Sequence, residues 1–224
     1  MNVEGYYQPK VKPGFGVVAY EGLIRSKDCK NTEEFVLKQK NREKFDIKII
    51  NYFSSLLSLD KLAVSMAINI FSNSFYSEDF IRSCEDNVKK FRFSLEVTEY
   101  EPILNLVQAR EAMLYLSSLG IEFSLDDFGK GYSNLRTLKQ FPFHEVKLDR
   151  ALVNRAVSCK KTRESIKTLK SRAIDSGIER IVYEGIESQR MENMILDFDS
   201  TAILQGYFYS MPKPISDLVS LYDN

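Results

Sequence analysis

Short apolar or β-branched runs recur eight times along this chain, and seven of them stop on a polar or charged side chain. The runs cover residues 6–11, 16–23, 63–69, 91–97, 121–126, 145–149, 180–184 and 202–207. Amphipathic stretches at 32–40, 46–57, 78–89, 103–119, 134–139, 161–176, 189–196 and 215–221 lie around and between them. That alternation is the habit of βα units. The strand ends carry Glu21, Asn69, Glu96, the pair Asp126 and Asp127, Lys147, Glu184 and Gln205. A barrel of parallel strands gathers all its strand C-termini at one mouth. An open doubly wound sheet offers a single switch point and does not collect seven such groups. The pattern therefore predicts an α/β fold of one domain over residues 1–224, a TIM-like eight-stranded barrel. At 224 residues the chain falls short of the roughly 250 usual for such barrels, so some helices must be small or absent.

Adjacent carboxylates after an apolar strand repel unless something positive sits between them. Asp126 and Asp127 are such a pair, and Glu21, Glu96 and Glu184 join them at the same predicted mouth. Oxygen donors of this kind, with Asn69, select Mg²⁺, Mn²⁺ or Ca²⁺. Five carboxylates exceed the need of one ion and suit two, about 4 Å apart with a water between. Lys147 could orient or deprotonate that water, and Arg25 could fork onto a phosphate. The expected chemistry is two-metal hydrolysis of a phosphodiester. Taken singly, each residue has a duller explanation. A strand-end Glu can be solvated, Gly129 and Gly131 can be turn formers, Asn69 can cap a helix and Lys147 can pair with Asp149. Their repetition in register on seven strands favours a shared site.

Equal numbers of basic and acidic residues, 31 of each, leave no electrostatic footprint for nucleic acid or an anionic membrane. No apolar run approaches membrane-spanning length, and the first residues lack the apolar core of a signal peptide. Three widely spaced cysteines fit neither a disulfide framework nor a zinc pattern, which suits a cytoplasmic location. The single histidine, His144, excludes His-based zinc hydrolysis and a Ser-His-Asp triad, and reads as a helix-to-strand connector or surface residue. Asp127-Phe128-Gly129 alone does not make a protein kinase, because neither a glycine-rich loop after a strand nor a His-Arg-Asp sequence is present.

Several motifs resemble those of the EAL-domain cyclic di-GMP phosphodiesterases, in order and over essentially the whole chain. They are Tyr7-Gln8-Pro9, Glu21-Gly22-Leu23-Ile24-Arg25, Asn69, Leu95-Glu96-Val97-Thr98-Glu99, Asp126 to Ser133, Lys147-Leu148-Asp149, Glu184-Gly185-Ile186-Glu187 and Gln205-Gly206-Tyr207 with Pro212. The resemblance implies an EAL fold whose first strand is antiparallel to the rest. It implies hydrolysis of cyclic di-GMP to linear pGpG with two Mg²⁺ or Mn²⁺ ions, Ca²⁺ being inhibitory. Glu21, Asn69, Glu96, Asp126, Asp127 and Glu184 would hold the metals. Lys147, with Glu21, Asp126 and Asp127, would act in catalysis. Gln8, Leu23, Arg25, Glu187 and Gln205 would bind substrate, and Glu99 would anchor the 127–133 loop beside a homodimer interface.

Three departures from the family pattern stand out. Gly22 replaces Ala and is expected to loosen the strand end, so that restoring alanine keeps or raises activity. Tyr183 stands where Ala is usual and either crowds the site or packs outward. Residues 26–46 are short and lysine-rich, which predicts an open side to the groove. With no sensory segment before residue 1, regulation would come from expression, oligomerisation or a protein partner. The alternative reading is a degenerate member that binds cyclic di-GMP or a partner without hydrolysis, although no metal ligand is lost.

Overall fold

The computed structural model of the chain describes residues 2–57, 64–98, 100–128, 134–214 and 217. β1 (Val3–Lys12) and β2 (Gly16–Ser26) form an antiparallel hairpin. Gly14 and Gly16 turn it with φ of 81° and 95°, values that L side chains rarely adopt. β3 (Ser65–Ile70), β4 (Phe93–Val97), β5 (Glu122–Phe128), β6 (Glu145–Leu148), β7 (Arg180–Tyr183) and β8 (Ile203–Leu204) then follow in parallel order. β2 pairs in parallel with β3, while β1 runs antiparallel to both β2 and β8 and so closes the ring. The molecule is thus the expected eight-stranded barrel with a reversed first strand. A two-residue strand, β9 (Lys213–Pro214), adds to β1.

Eight α-helices among the described residues surround the barrel: α1 (Thr32–Leu37), α2 (Arg42–Leu56), α3 (Glu78–Val88), α4 (Leu106–Ser118), α5 (Leu135–Gln140), α6 (Arg150–Ser158), α7 (Lys160–Ile174) and α8 (Gln189–Leu196). Their starts are written in the sequence. Asn41, Ser77, Asn105, Asn134, Asp149 and Ser188 each accept a backbone N–H at an N-cap. Asn41 explains why α2 begins four residues before the periodic apolar pattern. α6 is an element that periodicity did not predict, and its signal was Asp149, which caps it rather than pairing with Lys147. The loop at 129–133 and most of the expected helix at 215–221 lie outside the described residues, as does Glu99.

Shortness of the 26–46 segment does not leave that side of the barrel bare. α1 lies there, and Thr32, Glu33 and Val36 form part of a cavity wall. Tyr183 packs outward, fully buried, with its hydroxyl donating to Asp199 Oδ2 at 2.9 Å and its ring edge-on to Phe198. It does not crowd the barrel mouth.

Gly22 has a packing reason that the sequence did not disclose. A Cβ built there would stand 3.0 Å from both Met66 Sδ and Phe53 Cζ. Phe53 comes from α2, is wholly buried, and is held edge-on by Tyr7 and Tyr52. An alanine methyl would therefore press on the Phe53 ring and the Met66 sulfur, which must give by a few tenths of an ångström to admit it. Gly22→Ala should lower stability by about 1–3 kcal/mol through overpacking, and Phe53→Leu added to it should recover most of the loss. Urea denaturation of both variants measures this. Full stability in Gly22→Ala alone would refute the packing account.

Candidate active site

Side chains alternate along a strand, so Gln8 and Lys10 on β1 point into the barrel together, as do Glu145 and Lys147 on β6. The parallel register sets Asn69 beside Glu96 on adjacent strands, and Gln8 opposes Glu21 across the hairpin. These constraints bring the predicted residues to one mouth. Lys147, 1% exposed, places Nζ 2.8 Å from Glu184 Oε1, 2.9 Å from Glu96 Oε2, 3.0 Å from Asp126 Oδ1 and 3.4 Å from Glu21 Oε2. Asp126, Asp127 and Glu184 present carboxylate oxygens within 4.8 Å of one another. Asn69 Nδ2 donates to Glu21 Oε1 at 2.8 Å, and Gln205 Nε2 donates to Glu21 Oε2 at 2.6 Å and to Gln8 Oε1 at 3.3 Å.

Electrostatics follow from that crowding. Burial, opposed by Lys147 and reinforced by neighbouring carboxylates, pushes the Asp126 carboxyl up to about 6 and that of Glu184 up to about 8. Glu96 is equally buried, yet Lys10 and Lys147 together bring it down to about 2. Desolvation works against the Lys147 ammonium, but four carboxylates outweigh it and hold the group well above its ordinary value. Without bound cations this favours the protonated ammonium. Of the two roles its position suggested, orienting a water fits this state.

Asp127 has φ of +46°, the only described non-glycine residue with positive φ. Its N–H donates to Asp126 Oδ1 at 2.9 Å, so the strain turns the chain to bring two adjacent carboxylates to the same mouth. Oxygen donors of this number suit hard divalent cations. Asn69 Oδ1 and Gln205 Oε1 are buried without a hydrogen-bond partner among the described residues, as expected of atoms that await a ligand or an ion. The residues present fit the metals that the sequence implied.

A cavity of about 260 Å³ opens beside this cluster, lined by Glu21, Leu23, Arg25, Asn69, Thr98 and Asp126 among others. Leu23 and Arg25 thus border the same space as three expected metal ligands. The Arg25 guanidinium lies 5.4 Å from the centre of the Tyr6 ring and donates to Ile24 O. Glu187 is placed differently: it is exposed and pairs with Arg150 at 2.5 Å. His144 is a connector, as read, with Nδ1 accepting from Phe123 N. Two inward-facing groups went unremarked in the sequence, Lys10 and Glu145, although the period-2 phase they share with Gln8 and Lys147 could have found them.

Comparison with known proteins gives the same picture. The EAL domain family model matches residues 2–212. The cyclic di-GMP phosphodiesterase RocR of Pseudomonas aeruginosa is 30% identical over 94% of this chain, and the cyclic di-GMP phosphodiesterase PdeL of Escherichia coli is 31% identical over 69%. The chain spans 57% of RocR and 44% of PdeL. BlrP1 of Klebsiella pneumoniae, solved as a manganese and cyclic di-GMP complex, superposes with a TM-score of 0.81 at 26% identity, covering 95% of this chain and 56% of that one. Among the described residues no helix is long and apolar enough to cross a membrane. The chain belongs to the EAL domain family.

Proposed function

We propose that this chain hydrolyses one phosphodiester bond of cyclic di-GMP, giving linear pGpG, with two Mg²⁺ or Mn²⁺ ions. The observation that carries the reading is a charge imbalance. Glu21, Glu96, Asp126, Asp127 and Glu184 set five carboxylates against the one ammonium of Lys147 at the mouth. With all five carboxyls ionised, as bound cations would keep them, the surplus of four negative charges would equal the charge of two divalent cations. The names of RocR and PdeL support the substrate and reaction, and the manganese complex of BlrP1 supports the class of ion.

Glu21, Asn69, Glu96, Asp126, Asp127 and Glu184 would hold the ions. When bound, such ions lower the pKa of water and offset charge on a phosphate. Lys147 holds a proton at Nζ and can donate it as a hydrogen bond to the attacking water, fixing its direction. Arg25 offers a planar fork to a phosphate. Gln8, Leu23 and Gln205 would orient the substrate. Action on a cytoplasmic messenger, pairing of two copies and an additional protein regulator belong to the same reading.

The test is incubation of the purified chain with cyclic di-GMP and chromatography of the products. Turnover to pGpG is expected with Mn²⁺ or Mg²⁺, none with EDTA, and little with Ca²⁺. Tight binding of cyclic di-GMP without pGpG in any metal would instead show a receptor.

A further inference from the structure

The two oxygens of Glu96 are held by two different lysines. Lys147 Nζ takes Oε2 at 2.9 Å, and Lys10 Nζ takes Oε1 at 2.6 Å. Lys10 also lies 2.5 Å from Glu145 Oε1, and it is 1% exposed. Glu145 sits two residues before Lys147 on β6, so it faces the barrel interior one layer deeper. Since β1 runs opposite to the other strands, Lys10, two residues after Gln8, enters at that deeper layer. Glu96 is wholly buried between the two lysines.

We propose that Lys10 is a positioning residue for the metal site, and this rests on the reading above. It pins Oε1 of Glu96 from beneath and leaves Oε2 as the oxygen turned to the mouth. A glutamate on a strand is otherwise free to rotate about its last torsion, which is broad. With Oε1 fixed, the carboxylate presents one oxygen in one direction, and only Lys147 competes for it. Glu145 serves as the second anchor that keeps the Lys10 ammonium under Glu96. Arg180 steadies Glu145 in turn, with Nε 3.4 Å from Oε2. The alternating charges Lys147, Glu96, Lys10, Glu145 and Arg180 thus run down the barrel axis, with the metal ligand Glu96 held between the lysine at the mouth and the lysine beneath it.

A merely structural role would have Lys10 neutralise two buried carboxylates and do nothing more. The double variant Lys10→Met/Glu145→Leu separates the two, because it removes the ammonium together with the carboxylate that needs it and leaves Glu96 paired with Lys147. Titration with Mn²⁺ alone, by calorimetry, is the readout, beside thermal melting in EDTA. The expected result is melting near that of the unaltered chain with Mn²⁺ affinity weakened about 10–100-fold, the range for groups that orient metal ligands. Unchanged Mn²⁺ affinity in that variant would overturn the proposal. If the double variant does not fold, the single changes decide. Lys10→Gln should weaken Mn²⁺ about tenfold or more and Glu145→Gln less than about threefold, whereas equal effects would assign Lys10 to charge balance alone. An unaltered chain that binds no Mn²⁺ would sink the metal-site reading itself, an outcome distinct from either of these.

Discussion

Lys147→Met is expected to remove turnover and to leave the metal-free fold fragile, with the fragility cured by Mn²⁺. Among the described residues only Lys147 touches Glu21, Glu96, Asp126 and Glu184 together, at 2.8 to 3.4 Å. Removing one partner of a buried ion pair costs about 3–5 kcal/mol, because the charge left behind is unpaired. In a domain of this size that lowers the melting temperature on the order of 10 °C. Two divalent cations would restore the lost positive charge, so Mn²⁺ should raise the variant's midpoint by more than it raises that of the unaltered chain. Activity should not return with it, since a positioned proton donor contributes about 10²–10⁴-fold. The deficit in EDTA also has a pH sign. Asp126 and Glu184 already have folded pKa values raised to about 6 and about 8, and losing Lys147 raises them further. Carboxyls raised in this way support the fold below their unfolded pKa, about 4, and lose that support as pH rises through the folded value. The variant should therefore lie closest to the unaltered chain near the acid end and furthest from it at about pH 8. Melting curves with and without Mn²⁺ across that range measure it. A midpoint insensitive to Mn²⁺ would show that the acid cluster binds no ion.

The mouth of this barrel was legible in the sequence because strands transmit their pattern faithfully. A period of two fixes which side chains face inward, and a parallel barrel fixes which strand ends meet. Glu21, Asn69, Glu96, Asp126 and Glu184 can be placed together on those grounds, and the structure sets the four carboxylates on one lysine with Asn69 bonded to Glu21. The reversed first strand was less accessible to pattern alone and came from the family resemblance. What escaped was decided by neighbours remote in sequence. At Gly22 the sequence shows only a loosened strand end, while the structure sets the ring of Phe53, 31 positions later, 3.0 Å from where a Cβ would stand. Tyr183 could have faced either way, and its partner Asp199 on the far side of α8 decided the matter. Lys10 read as one polar residue in a strand, since a buried lysine declares itself only when both of its carboxylates are known. α6 is hidden for a local reason: its cap, Asp149, also closes the Lys147-Leu148-Asp149 motif, which masks it as a helix start.

Asp127→Asn is expected to fold as well as the unaltered chain and to lose about 10³-fold in turnover. The change is close to isosteric, and asparagine is among the residues that tolerate positive φ, so the strained turn at +46° is preserved while the charge is removed. The loss then measures chemistry alone. A metal site contributes several kcal/mol of charge stabilisation, and at 1.36 kcal/mol per tenfold, about 4 kcal/mol corresponds to 10³. Asp126→Asn should lose as much turnover but should also disturb Lys147, whose Nζ lies 3.0 Å from Asp126 Oδ1. Asp127→Gly completes the set, because glycine accepts φ of +46° without strain and should leave stability equal or higher. A chain more at ease in its turn and yet inactive would mean that the backbone strain at Asp127 is retained for the carboxylate it delivers. The measurements are pGpG formation in Mn²⁺ and the urea midpoint of each variant. If Asp127→Asn turns over cyclic di-GMP at an undiminished rate, the adjacent acid pair does not hold the reacting metals and the proposed mechanism fails at its centre.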